Sequence, residues 1–79
     1  MKIKVHVFLK PGVLDVQGKA IEGALHGLGF DGVADVRVGK TITFDLDGED
    51  RAAAETQVRA MCDRLLANTV IESYKISLE

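Results

Sequence analysis

The sequence predicts an α+β domain whose elements follow in the order β-α-β-β-α-β. Two observations predict it: some segments alternate apolar and polar residues, and others carry an apolar stripe at helical spacing, with glycine, proline or aspartate between them. The chain has 79 residues, 47% apolar and 28% charged, and a formal net charge of −2. These values are typical of one globular domain, residues 1–79, with a thin core.

The first strand is predicted over Lys2–Lys10, where every odd position from 3 to 9 is apolar. Pro11-Gly12 ends this strand, because proline has no N–H to donate to a neighbouring strand. Asp15 is then placed to cap a helix by accepting from free backbone N–H groups. The apolar stripe of this helix is Ile21, Ala24, Leu25 and Leu28, and Gly29 suits its left-handed end.

Two strands are predicted next, over Val33–Lys40 and Thr41–Asp47, because apolar residues alternate in both. Gly39-Lys40 has glycine first, which favours a type II′ hairpin between them.

A second helix is predicted from a cap at Asp50 to a stop at Asn68, followed by a last strand over Val70–Glu79. The apolar stripe of the second helix consists of Ala54, Val58, Met61, Cys62 and Leu65.

With right-handed crossovers and a central hairpin, this order predicts a ferredoxin-like βαββαβ sandwich. We expect a four-stranded antiparallel sheet with both helices on one face. The other face would be mainly polar and would carry Lys2, Lys4, His6, Phe8, Arg37, Thr41, Thr43, Lys75 and Ser77. Topology alone assigns no function, so the side chains must be weighed separately.

Composition argues against several classes of protein. A single cysteine, Cys62, cannot form a disulfide framework, which favours a reducing compartment. The N-terminus enters the first strand pattern with no apolar signal core, and no run of about 18 apolar residues follows. The slight negative charge argues against nucleic-acid binding. We therefore expect a cytoplasmic protein without membrane or nucleic-acid contact.

No residue pattern predicts a catalytic or metal site on this chain. His6 and His26 have no further ligands at matched spacing, and Cys62 lies within an apolar stripe. Val16-Gln17-Gly18 resembles the opening of an acylphosphatase loop, but the arginine that would bind phosphate is missing. Phe8 stands almost alone on the open face, which argues against base stacking. We expect no cofactor on this chain.

Two features favour association with another chain. Ala20, Gly23 and Gly27 form a small-residue edge on the first helix, which either packs on the second helix or docks another chain. The predicted sheet also has open edges, and a thin core with open edges favours a homodimer or a higher oligomer.

The residues expected to contact partners are Lys10, Pro11, Gly12 and Asp15 at the first turn, with Arg37 and Lys40 near the hairpin. The alternative interpretation is that Pro11, Gly12 and Asp15 only shape a turn and a cap, and that the basic side chains are solvated.

Four blocks of the sequence together resemble one known family. They are Leu9–Asp15, Glu22–Phe30, Val36–Lys40 and Leu65–Tyr74. Over nearly the whole chain they are similar to PurS, the small subunit of phosphoribosylformylglycinamidine synthase. That enzyme uses ATP and glutamine to convert formylglycinamide ribonucleotide to its amidine in purine synthesis.

The resemblance implies a non-catalytic accessory subunit that forms a dimer. It would bring together a glutaminase subunit, PurQ, which releases ammonia, and a synthetase subunit, PurL, which binds ATP and Mg²⁺. An alternative with the same topology is an ACT-like domain that binds a small regulatory metabolite.

Overall fold

The structure, a computed structural model, describes residues 1–79. Its elements in chain order are β1 (Lys2–Leu9), α1 (Val16–Gly27), β2 (Gly39–Asp45), α2 (Arg51–Met61), a single π-helical turn (Cys62–Leu66) and β3 (Glu72–Leu78). β1 lies at the centre of one sheet and pairs antiparallel with β2 on one side and β3 on the other. Neither α1 nor α2 has the length and apolar character that crossing a bilayer would require.

The core lies between this sheet and α2. Ile3, Val5 and Val7 of β1 are buried, as their alternation predicts, and they pack against α2 and the π-helical turn. The buried cluster consists of Ile3, Val5, Val7, Val58, Cys62 and Ala67. Burying a Val or Ile side chain fully stabilises a fold by about 1.5–3 kcal/mol.

The expected four-stranded sheet is wrong: the sheet has three strands. Residues 33–38 lie outside it, while Gly39 and Lys40 belong to β2, so the predicted hairpin between them is absent. The physical reason is local, because the N–H groups of Val36 and Val38 donate to carboxylates of the α1 region rather than to a strand. Asp35, with φ of 55°, also interrupts the regular extended backbone.

The expectation that both helices cover one face of the sheet is wrong for α1. No residue of α1 belongs to the core cluster or packs against it. The radius of gyration is 16.0 Å, whereas a compact chain of this length has about 12 Å. The molecule measures 49 × 24 × 15 Å because α1 and residues 33–38 project away from the sheet as an arm. We call residues 10–38 the α1 arm.

The second predicted helix differs at its end. Ala54, Val58 and Cys62 are buried as predicted, but Leu65 is 83% exposed. In the π-helical turn the N–H of Ala67 donates to the carbonyl of Cys62, five residues back. That wider turn places Ala67 in the core and rotates Leu65 away from it.

Candidate subunit interface

Asp15 ties the start of α1 to the segment 33–38. Its carboxylate accepts from the N–H of Gly18 at 2.7 Å and from the N–H of Val38 at 2.6 Å, and the residue is 5% exposed. The N–H of Val38, then that of Gly18, and the charge of nearby Arg37 lower the pKa of Asp15 below its ordinary value, against the opposing effect of burial. Asp15 is therefore a helix cap, as predicted, and it also links the start of α1 to Val38 by a hydrogen bond.

Arg37 and Lys10 hold the turn that precedes α1. The Arg37 guanidinium donates to the carbonyls of Val13 at 2.9 Å and Lys10 at 3.2 Å. The Lys10 ammonium donates to the carbonyl of Thr69 at 2.7 Å. The turn is thus joined both to the segment 33–38 and to the loop before β3.

Helix α1 packs closely on the segment 33–38. The N–H of Val36 donates to Glu22 Oε1 at 3.3 Å, and His26 Nε2 lies 2.7 Å from the carbonyl oxygen of Val33, so this nitrogen carries the proton and donates. A Cβ atom at Gly18 would collide with the carbonyl oxygen of Val36. Glycine is therefore required at position 18 for this approach.

The α1 arm exposes a set of large apolar side chains. Five between residues 14 and 30 are 43–73% exposed: Leu14, Val16, Ile21, Leu28 and Phe30. Apolar residues clustered on one projecting element are typical of an association surface. The small-residue edge of α1 does not pack on α2, because a Cβ atom at Gly23 or Gly27 would meet nothing within 4 Å.

A second apolar surface lies on the face of the sheet over β2. Helix α2 packs against β3 and the buried side chains of β1. The apolar side chains of Ile42, Phe44 and Leu46 next to this core are only half-buried. The inward side chains of β3 are half-buried as well, and α2 packs on the β3 side, so the apolar face over β2 has no helix of its own packed on it.

The free edge of β2 presents unpaired backbone groups. Met1 and Leu46 exchange hydrogen bonds in both directions, at 2.9 Å each. Because such pairs alternate along an antiparallel ladder, the even-numbered residues of β2 bond to β1. The odd-numbered residues direct their N–H and C=O groups to the open edge: Gly39, Thr41, Thr43 and Asp45. The N–H groups of Val36 and Val38 point to α1, so the backbone of Arg37 between them faces this same edge.

Most of the predicted partner-contact residues lie together. Lys10, Pro11, Gly12 and Asp15 form the turn before α1, with Gly12 in the left-handed region at φ of 87°, and Arg37 bonds to that turn. Lys40 is separate, because it lies in β2 opposite Val7. Contact of these six residues with a partner stays a prediction. The exposed apolar face of α1 was not predicted from the sequence, because this helix was expected to cover the sheet.

The polar face of the sheet carries one aromatic cluster. The rings of His6 and Phe8 stack with centroids 5.4 Å apart, and the Lys75 ammonium lies 5.8 Å from the centroid of Phe8. Phe8 is thus already stacked within its own chain.

Cys62 is fully buried, and burial raises the pKa of its thiol. A raised pKa keeps the thiol protonated and unreactive at neutral pH. No group of three or more His, Cys, Asp or Glu side chains is arranged to hold a metal ion. The geometry instead offers surfaces: an apolar arm, a half-covered sheet and an open edge.

Such a molecule belongs to the class of small α+β domains that expose apolar and edge surfaces of the kind used for association. The family model described as PurS, phosphoribosylformylglycinamidine (FGAM) synthase, matches residues 2–79. The chain therefore belongs to the PurS family.

Curated relatives agree with this assignment. The PurS subunit of Bacillus subtilis is 46% identical over 78 residues, which cover 99% of this chain and 92% of that protein. The PurS subunit of Synechocystis sp. is 51% identical over 71 residues, which cover 90% of this chain and 71% of that protein.

Solved structures agree as well. The fold matches Bacillus subtilis PurS with a TM-score of 0.90 at 46% identity, covering 99% of this chain and 96% of that one. It matches a chain in the structure of PurLQS from Thermotoga maritima with a TM-score of 0.87 at 30% identity, covering 96% and 93%. The family favours a synthase subunit over the metabolite-binding alternative.

Proposed function

We propose that this chain is the PurS subunit of a phosphoribosylformylglycinamidine synthase in purine biosynthesis. In this proposal it joins a glutaminase subunit, PurQ, to a synthetase subunit, PurL. The observation that carries the proposal is the full-length likeness to a PurS chain solved as part of PurLQS. The exposed apolar surfaces of the α1 arm support a role in assembly.

The chemistry of ammonia gives such a subunit a purpose. Free ammonia is mostly protonated near neutral pH, and ammonium is no nucleophile. Transfer between shielded sites keeps it reactive, and a subunit that fixes two active sites relative to each other supplies that positioning. In this proposal ATP and Mg²⁺ bind to PurL and the assembly works in the cytoplasm, where the unpaired Cys62 stays reduced.

The proposal includes a homodimer in which each α1 arm serves the other copy. The apolar face of α1 has no cover in its own chain, and the apolar face of β2 is only half-buried. An arm laid over the β2 half of a second copy would cover both surfaces at once. A two-fold axis repeats this contact, because each copy offers the same two surfaces.

Edge pairing fits the same dimer. The backbone groups of Arg37 and of the odd-numbered residues of β2 face one open edge. Two such edges can pair antiparallel about a two-fold axis near Gly39, so that the segment before Gly39 in one copy lies beside β2 of the other. That pairing would satisfy groups that an exposed edge otherwise leaves open to adventitious pairing.

Thr41→Pro tests the edge pairing. Thr41 is exposed and directs its N–H away from β1, so proline removes an edge donor without removing a bond of the β1–β2 ladder. We expect sedimentation equilibrium to show a dimer for the wild type and for Thr41→Val, and a folded monomer for Thr41→Pro. A wild-type chain that stays monomeric at micromolar concentration would refute the dimer.

Reconstitution with the cognate PurQ and PurL tests the function. Omitting this chain is expected to abolish the glutamine-driven rate and to spare more of the ammonia-driven rate, because added ammonia needs no transfer between subunits. His26→Ala is expected to keep the glutamine-driven rate near wild type, since the imidazole only donates to a backbone carbonyl. Loss of turnover in His26→Ala with the complex still assembled would indicate a catalytic role for this chain.

A further inference from the structure

The backbone of residues 36–38 is hydrogen-bonded to the α1 region on one side and has no strand neighbour on the other. Toward α1, the N–H groups of Val36 and Val38 donate to Glu22 and Asp15, at 3.3 and 2.6 Å. Amides two positions apart that point the same way indicate an extended chain there. The N–H and C=O groups of Arg37 consequently point away from α1, toward the open edge that continues along β2.

We infer that Asp15 is a positioning residue for assembly: its carboxylate holds this segment against α1 so that the free backbone groups at Arg37 face a second copy of this chain. The inference rests on the proposed dimer and adds the residue that prepares its pairing edge. Because the segment has no strand neighbour in its own chain, side chains must set its direction.

Asp15 is suited to this task by its two acceptor oxygens. Oδ1 accepts from Gly18 and thereby caps α1, while Oδ2 accepts from Val38, 23 residues further along the chain. The residue is 5% exposed, so water competes little for either oxygen. A serine or asparagine at this position would still cap the helix, because one oxygen is enough for a cap. Neither offers a second acceptor to Val38.

Gly18 completes the arrangement from the helix side. The missing side chain lets the first turn of α1 approach the carbonyl of Val36, where a Cβ atom would collide with that oxygen. The Arg37 side chain adds a further tie by donating to the carbonyls of Val13 and Lys10. The segment is thus ordered before a second chain arrives, and the conformational entropy of ordering it is not lost on association.

Two cap-preserving variants of Asp15 and one matched pair of glycine variants test the inference in the full chain. Asp15→Ser and Asp15→Asn keep the cap and lose the bond to Val38. Gly18→Ala forces the segment away, whereas Gly23→Ala makes the same replacement where a Cβ meets nothing within 4 Å. Gly23 also lies about 160° around the helix from Leu25, away from the apolar stripe.

The measurements are the dimer dissociation constant, by sedimentation equilibrium, and the amide exchange rates of Val38 and Phe44. We expect Asp15→Ser and Gly18→Ala each to raise the dissociation constant about 100-fold. Losing the contact in one copy is worth about tenfold, and the dimer contains two copies. The amide of Val38 should exchange faster while that of Phe44, in the β1–β2 ladder, does not. Gly23→Ala should not raise the constant, because its added Cβ meets nothing within 4 Å and alanine favours the helix.

A dimeric wild type whose affinity and Val38 exchange are unchanged by Asp15→Ser overturns the inference and leaves the dimer standing. A monomeric wild type overturns the dimer itself, and the positioning role with it. Weaker dimerisation with unchanged Val38 exchange also overturns the inference, because the segment would then be held by other groups.

Discussion

Cys62→Ser separates a packing role of this thiol from a chemical one. Cys62 is fully buried in the cluster formed by β1, α2 and the π-helical turn. A buried thiol behaves as a small apolar side chain, whereas a serine hydroxyl needs a hydrogen-bond partner. The nearby carbonyl of Val58 already accepts from the N–H of residue 62. Burying an unsatisfied hydroxyl costs about 1–3 kcal/mol by mutational estimates.

That cost is large for a chain of 79 residues. A domain of this size is stabilised by about 4–12 kcal/mol in total, and each kcal/mol lost lowers Tm by about 4–8 °C. A loss of about 2 kcal/mol therefore predicts a Tm lower by about 8–16 °C. Thermal and urea unfolding would be compared at one protein concentration, because association raises Tm with concentration.

The control is Cys62→Ala, which removes the sulfur without adding a hydroxyl. Reconstituted glutamine-driven turnover per folded molecule should match the wild type in both variants. Wild-type stability in Cys62→Ser would refute the packing argument. Wild-type stability with turnover lost would mean that the thiol takes part in the chemistry.

Two further outcomes follow from the geometry. Because the pKa of Asp15 is lowered in the folded chain, its contribution to stability is present above the ordinary Asp value of 3.8. That contribution is lost as pH falls through the lower pKa of the folded state. The urea midpoint of the wild type should therefore fall in this acid range, and that of Asp15→Asn should fall less steeply. Leu65→Gln should change the free energy of unfolding by less than about 0.5 kcal/mol, because Leu65 is 83% exposed. Val58→Ala should lower the free energy of unfolding by about 2 kcal/mol, because it removes two buried methyl groups and leaves a cavity. Equal costs for these two variants would contradict the assignment of Leu65 to the surface.

The elements that local chemistry determines are the ones that the sequence predicted well. The alternation of Ile3, Val5 and Val7 identified the buried face of β1, because strand side chains alternate whatever the strand pairs with. Asp15 and Asp50 were correctly identified as caps, since capping needs only an oxygen and nearby free N–H groups.

The errors concern what an element packs against. Alternation in residues 33–40 indicates an extended chain and the direction of its side chains, but it does not identify the strand with which the segment pairs. A segment in a hairpin and a segment that projects from its own sheet share one sequence pattern. The π-helical turn at residues 62–66 was missed for a similar reason, because a stripe at helical spacing assumes an α-helix to its end. Leu65 was therefore predicted to lie in the core, whereas in the structure Ala67 lies there.

The form of α1 itself argues that this chain completes its fold by association. An isolated helix shorter than about 12–15 residues is marginal in water even when it is rich in alanine. Helix α1 has 12 residues and includes Gly18, Gly23 and Gly27, and each interior glycine costs about 0.5–1 kcal/mol relative to alanine. The ties through Asp15 and Glu22 supply part of the missing stability, while the exposed apolar stripe supplies none until it is covered. In the proposed dimer, a second copy that covers this stripe would therefore add to the stability that these hydrogen bonds already give the arm before association.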